Sequence, residues 1–431
     1  MHEYIRLIRH TGNRDLFRAV EMSVAALVND RPFHIQAEGL RGTGKTTIMR
    51  MARALLPPIT RIKNCLYNCD PAAPHCPFHR HLSRDEIAVL GTEEVPRPFL
   101  EISQAAKPGT VVGSIDLVKL TDPAKPLAAL LPGTIPQAHR GIVFIDEINR
   151  LADTSPELAD ILLDVMGTRP GRVQIEEPGL PVVELPVTVS IWAASNPDED
   201  PGPLNRIRKQ LADRFDLAVT MGRPDNSQDV VRILAGEDNR QRVDLPVCQP
   251  LGSLQDVTPS QDLREVLGRI YLEFNLESLR SITAMETAAC LTALLAGRPT
   301  AGVAELMQVA PLALMHRNNQ ETIAAIMEFL NRLLCGQEYA PINCVASATS
   351  PAKAVSPVAA LLSSLKSQIV NLLRNRPWLP DTGTQGSGQP GGAHIIDPLA
   401  TTIIAPPNPA TPITHLPEDQ FVTIEINQHG R

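Results

Sequence analysis

The chain has 431 residues, 43% of them hydrophobic, which at roughly 150 residues per domain is enough for two or three cores. Forty Lys and Arg against 47 Asp and Glu leave a net charge of −7, and aromatics are only 3%, arguing against both a broadly basic nucleic-acid binder and a stacking platform for bases. No run reaches the ~18 apolar residues of a membrane span, and the charged opening MHEYIRLIRHTGNRD lacks a signal-peptide core, so a cytoplasmic protein is expected.

Residues 14–29 carry apolar side chains at helical spacing. After the break at Asp30-Arg31-Pro32, FHIQA (33–37) reads as a short strand, more polar than a central buried strand should be. Helices are expected at 44–56, 155–167 and 203–213, and strands at 98–103, 141–147 and 188–195. That alternation predicts an α/β fold, a parallel sheet covered by helices. From 226 to 336 the helical period dominates, notably in 261–276, 283–297 and 303–317, which predicts an all-helical second domain. Residues 337–431 differ again: they hold twelve prolines, the run GTQGSGQPGG, one helical stretch at 356–375 and a strand-like FVTIEI. This is the composition of a linker or docking arm. The expected units are therefore 1–225, 226–336 and 337–431.

Between the first strand and the next helix lies Gly39-Leu40-Arg41-Gly42-Thr43-Gly44-Lys45-Thr46-Thr47, which fits G-x-x-x-x-G-K-[ST], the Walker A loop. The glycines let successive backbone N–H groups turn toward phosphates, Lys45 reaches the terminal ones, and Thr46 offers its hydroxyl to Mg²⁺. One hundred residues on, the hydrophobic strand Ile142–Ile145 ends in Asp146-Glu147, a Walker B pattern. Asp146 is aimed at the Mg²⁺, and Glu147 is placed to polarise the attacking water. Asn196, closing TVSIWAAS, is a candidate to orient the same water.

Four of the seven cysteines are scattered in apolar or mixed surroundings and read as small buried hydrophobes. The other three form Cys65-x₃-Cys69-x₆-Cys76-x₂-His79 in a proline-broken loop, a donor set that suits a structural Zn²⁺. A free-thiol loop fits the spacing equally well, and His81 is a rival fourth ligand.

Taken together, RGTGKT (41–46), NCLYNCDP (64–71), AHRGIVFIDEINRL (138–151), DILLDV (160–165), SNPDED (195–200) and LADRFDL (211–217) resemble the ATPase subunit I of magnesium chelatase, an AAA+ family. VAPLALMHR (309–317) is similar to the closing helix of that family's lid. The resemblance implies a P-loop α/β core with a helical lid, ATP and Mg²⁺ as nucleotide and cofactor, and a homo-oligomeric ring, a hexamer, with nucleotide held between subunits. By the same resemblance Arg214 is the arginine finger, with Arg206 and Arg208 as nearest competitors, and Arg280 is the lid's sensor arginine. The stretches 111–135 and 171–186 match the family's inserts.

The implied function is a motor that remodels a partner complex for metal insertion into a tetrapyrrole. A separate metal-adhesion (VWA) subunit and a tetrapyrrole-binding subunit are the implied partners, because no D-x-S-x-S motif occurs here. The alternative is a MoxR-type remodelling ATPase acting on a metal-adhesion partner without tetrapyrrole chemistry. The family's opening Phe-Pro-Phe run and Val-Gly-Gln segment, which help to hold adenine, are missing.

Overall fold

The computed structural model describes residues 2–115, 130–176, 182–236 and 252–335. The chain divides into two units, Met1–Val345 and Ala346–Arg431. The second unit, with the expected elements at 356–375 and 421–426, lies outside the described residues.

The core is a five-stranded parallel sheet of β1 (Ile35–Gly39), β2 (Phe99–Ile102), β3 (Gly141–Ile145), β4 (Val189–Ser195) and β5 (Leu217–Met221), in the order β5-β1-β4-β3-β2. Ile35 stands beside Trp192 on one side and Leu217 on the other, and Val189 beside Gly141. β3 and β4 are buried at every position, as strands covered on both faces must be. Alternate residues feed two cores: Ile142, Phe144 and Trp192 on one face, Val143, Ile145 and Ile191 on the other.

β1 begins two residues later than FHIQA suggests. The backbone N–H of Phe33 donates to Ser190 Oγ (3.1 Å) and that of His34 to Asp216 Oδ2 (2.8 Å), so both are spent outside the ladder. The polarity of β1 is met in part: buried Gln36 donates Nε2 to Glu38 Oε1 (2.7 Å) and to Ser195 Oγ (3.4 Å), while its Oε1 has no partner among the described residues.

The helix α1 (Arg14–Val28) is buried along most of its length and packs on β5 and the lid. Its Ser23 Oγ accepts the Trp192 indole N–H at 2.8 Å. Helix α2 (Lys45–Met51) tightens into a 3₁₀ turn, Ala52–Leu55, just ahead of Pro57-Pro58, which cannot continue a helix. The expected helix at 155–167 is α3 (Pro156–Gly167), with Pro156 in its first turn. A further helix, Ile148–Thr154, precedes it without having been anticipated. The run at 203–213 is two short helices, Leu204–Ile207 and Lys209–Ala212, because Arg208 leaves helical geometry (φ −142°, ψ 78°) and ties its guanidinium to Asp160 Oδ1 at 3.0 Å.

Within the stretches 171–186 and 111–135, Gly171–Ile175 pairs antiparallel with Val183–Val187, and Gly113–Ile115 with Leu130–Pro132. Helices α4 (Gln261–Glu273), α5 (Leu279–Leu295), α6 (Val303–Leu314) and α7 (Gln320–Leu334) make the helical part. Side-chain caps start three of them: Ser260 accepts from Leu263 N, Ser278 from Arg280 N and Asn319 from Thr322 N. Arg31 Nη2 donates to Thr287 Oγ1 at 2.7 Å, tying the helical part to the turn between α1 and β1.

Candidate active site

The C-terminal ends of β1, β3 and β4 converge where a doubly wound sheet presents its ligand crevice. After β1 the chain turns through Gly42 (φ +74°) and Gly44 (φ +88°), left-handed positions with open space where a Cβ would stand. This leaves the backbone N–H groups at the start of α2 accessible to an anion.

Lys45 is buried, and its ammonium donates to Gly39 O, to Leu40 O (2.8 Å) and to Asn196 Oδ1 (2.8 Å). Burial lowers its pKa, opposed by Asp146 and Glu199. The Thr46 hydroxyl lies 3.2 Å from Asp146 Oδ2. That donor pair fits Mg²⁺, since two adjacent oxygens on an octahedral ion bonded at about 2.1 Å stand roughly 3 Å apart.

Glu147 sits at φ +51°, a strained conformation for a non-glycine residue that turns its side chain off the end of β3. Gln104 Nε2 donates to its Oε2 at 2.6 Å, and Arg150 stands 3.2 Å away. Arg41–Thr47, Asp146, Glu147 and Asn196 together line one cavity of ≈ 440 Å³.

Several contributors were not read from the sequence. Arg50 forms a two-pronged pair with Glu101 (3.0 and 2.9 Å) and reaches Asp146 at 3.7 Å. Asn149 Nδ2 donates to the backbone oxygens of Asn196 (3.3 Å) and Gly202 (3.1 Å), fixing the turn that carries Asn196. A larger cleft of ≈ 740 Å³ adjoins the loop, walled by Ile8, His10, Asn13, Pro224 and Ile233. Beside it Gly12 lies directly on Gly222, where a Cβ would meet Gly222 C at 2.5 Å. The opening segment that lacks the family's adenine pattern thus still builds a wall beside the phosphate loop.

Arg214 and Arg280 do not line the loop cavity. Arg214 packs against the end of α3, where a Cβ on Gly167 would come within 2.7 Å of its Nη1. Its Nε–H is buried and finds no acceptor among the described residues. Burial lowers its pKa, Arg280 lowers it further, and Asp213 and Asp164 oppose. Arg280 Nη1 lies 3.3 Å from Asp213 Oδ2, on the residue next to Arg214 in the chain.

Arg317, three residues past the end of α6, grips the same segment. Its guanidinium donates to Asp213 Oδ1 (3.0 Å), Asp213 O (2.8 Å), Phe215 O (2.6 Å) and Ala313 O (2.6 Å), which brackets Arg214 from both sides. Of the competitors for the finger, Arg208 is committed to Asp160.

Fold, loop and acidic strand end define a nucleoside-triphosphate-hydrolysing α/β protein with a helical lid, and the comparisons narrow it. The AAA lid domain family matches residues 264–328. The magnesium-chelatase 38 kDa subunit of Acidiphilium rubrum is 31% identical over 338 residues, covering 72% of this chain and 90% of that one. The chloroplastic magnesium-chelatase subunit ChlI of Glycine max is 28% identical over 308 residues, covering 67% and 69%. The ChlI homolog of Methanocaldococcus jannaschii is 26% identical over 306 residues, covering 67% and 80%. A chain in a solved complex between subunits BchI and BchD of magnesium chelatase is similar at a TM-score of 0.41 and 23% identity, covering 76% of this chain and 99% of that one.

The chain belongs to the magnesium-chelatase ATPase subunit I family of AAA+ proteins. It is an ATPase, and membership implies the use of ATP and Mg²⁺.

Proposed function

We propose that this ATPase is the motor of a homo-oligomeric ring, a hexamer, whose hydrolysis steps remodel a separate partner complex that inserts a metal ion into a tetrapyrrole. The observation that carries the reading is a division of labour. Lys45, Thr46, Asp146, Glu147 and Asn196 surround one cavity, whereas Arg214 and Arg280 stand together elsewhere on the same chain.

In this reading residues 39–47 cradle the phosphates through their backbone N–H groups, and Lys45 exchanges its carbonyl partners for phosphate oxygens. Thr46 and Asp146 hold the Mg²⁺, which when bound neutralises charge building on the transferred phosphoryl group. Glu147, oriented by Gln104 and Arg150, accepts the proton of the attacking water, and Asn196 positions that water. The base and ribose lie in the cleft between the 8–13 segment and Pro224. Arg214, acting from the neighbouring subunit, stabilises the developing charge, and Arg280 joins it from the lid. Residues 1–225 form the nucleotide domain, 226–336 the lid, and 337–431 a linker or docking arm. Partner contacts run to a metal-adhesion subunit and a tetrapyrrole-binding subunit. Among the described residues no helix is long and apolar enough to cross a membrane, and we place the ring in the cytoplasm.

The rival is a MoxR-type remodeller of a metal-adhesion partner without tetrapyrrole chemistry, favoured by the proline-rich 337–431 segment. Affinity capture on the Glu147→Gln chain with ATP separates the two. A metal-adhesion subunit together with a tetrapyrrole-binding subunit supports the chelatase motor. A metal-adhesion subunit alone supports the remodeller.

A further inference from the structure

An arm leaves the sheet between α2 and β2. Its base is the antiparallel pair Ile59–Ile62 with Thr92–Val95, and its outer part carries one short helix, Arg84–Leu90. Residues 63–83 contain no helix or strand, and the side chains they bury are mainly Cys65, Tyr67, Cys69 and Cys76. A loop of this length with so small an apolar core needs another source of order.

We propose that Cys65, Cys69, Cys76 and His79 hold one structural zinc ion that closes this arm. Their donor atoms all lie within 4.8 Å of one another, and Cys76 Sγ is 3.2 Å from His79 Nδ1. A tetrahedral zinc with Zn–S of about 2.3 Å sets sulfurs roughly 3.8 Å apart, so small side-chain movements close the shell. The three cysteines are buried and free of disulfides.

The backbone N–H groups of His75 and Cys76 both point at Cys69 Sγ, at 3.4 and 3.3 Å, which holds that sulfur in place toward the other three donors. His75 Nδ1 also lies 3.3 Å from that sulfur, and its ring stacks on His139 at 3.7 Å, bracing the ligand from outside the tetrad. Three soft sulfurs and one imidazole select Zn²⁺, and binding releases the three thiol protons to solvent. The rival His81 is exposed, is no member of the cluster, and pairs with Arg80 at 3.0 Å.

Four protein ligands leave no open coordination position, so the ion is structural rather than catalytic. Position agrees. Asn68 Nδ2 donates to Gln137 O (2.6 Å) and Asp70 pairs with Arg140 (3.2 Å), both just before β3, whereas Asp146 and Glu147 follow the opposite end of that strand. The site therefore stands or falls independently of the ATPase reading.

The test is zinc content of the purified full chain by elemental analysis and native mass spectrometry, with Cys76→Ser, His79→Ala and, as a control outside the cluster, Cys290→Ser. One zinc per chain in the wild type and in Cys290→Ser, lost from Cys76→Ser and reduced in His79→Ala, is the expected result. Should Cys76→Ser fail to fold, alkylation of native wild type decides: Cys65, Cys69 and Cys76 should react only after chelation, and Co²⁺ exchange should give the visible absorption of a tetrahedral thiolate site. A natively folded chain without zinc whose three thiols alkylate freely overturns the proposal, as does zinc retained in Cys76→Ser.

Discussion

Replacing Arg317 with Ala removes a guanidinium that is only 7% exposed and donates to the Asp213 carboxylate and to four backbone carbonyls. Removing one partner of a buried ion pair costs about 3–5 kcal/mol, because the remaining charge is left in a poorly solvating site. Asp213 is itself 26% exposed and keeps Arg280 at 3.3 Å, which places the cost near the lower end, about 3 kcal/mol. Arg317→Lys restores a charge but not the planar fork that reaches Asp213 and Phe215 together, so roughly 1 kcal/mol should return. Urea unfolding of the three proteins at one protein concentration measures this directly. The same tether holds both neighbours of Arg214, so turnover should fall in Arg317→Ala while ATP binding stays near wild type. Stability within 1 kcal/mol of wild type, with normal turnover, would refute the view that α6 anchors this segment.

Gly167→Ala places a Cβ 2.7 Å from Arg214 Nη1 and should push the guanidinium aside; kcat drops roughly tenfold with KM nearly constant, and an unchanged kcat would contradict the packing. Lys45→Ala should abolish ATP-dependent thermal stabilisation, measured as the shift in Tm with added Mg-ATP. Burial of His34 holds its pKa at about 4 against the ordinary 6.5, and its Nδ1 accepts the Ile191 N–H. The unfolded chain therefore takes up the proton first: the contribution to stability is full above pH 6.5 and is lost as pH falls from 6.5 toward 4. Between pH 7 and 5 the loss is about 2 kcal/mol, and His34→Asn should flatten that part of the pH profile.

The elements most legible in the sequence were those whose residues answer to local rules. β3 and β4 are apolar at nearly every position because both faces are covered, and the loop from Gly39 to Thr46 is contiguous, so its chemistry travels with its spacing. β1 was harder, since Gln36 and Glu38 read as surface residues until each other and Ser195 are seen as partners. Helix Ile148–Thr154 was hidden because nothing local signals that Glu147 turns to positive φ. Arg317 and Gln104 reach across long separations, 104 residues to Asp213 and 43 to Glu147, and no periodicity encodes such pairs. The 8–13 segment is held beside the phosphate loop by the close approach of Gly12 to Gly222, a tertiary contact that motif matching at the N-terminus could not supply. For the cysteines, spacing left free thiols and His81 open, and the fold brings the ring of His79 rather than His81 within 4.8 Å of the three sulfurs.

The central claim is that the hydrolytic site is shared between subunits, and a mixing experiment tests it most directly. Glu147→Gln retains Arg214 and lacks the base, whereas Arg214→Ala retains the base and lacks the finger, so each alone should hydrolyse almost no ATP. Mixed in equal amounts with subunit exchange, roughly a quarter of head-to-tail interfaces should pair an intact Glu147 with an intact Arg214, and ATPase activity should reappear in that proportion. Activity no greater than the sum of the two separate variants would contradict the shared site.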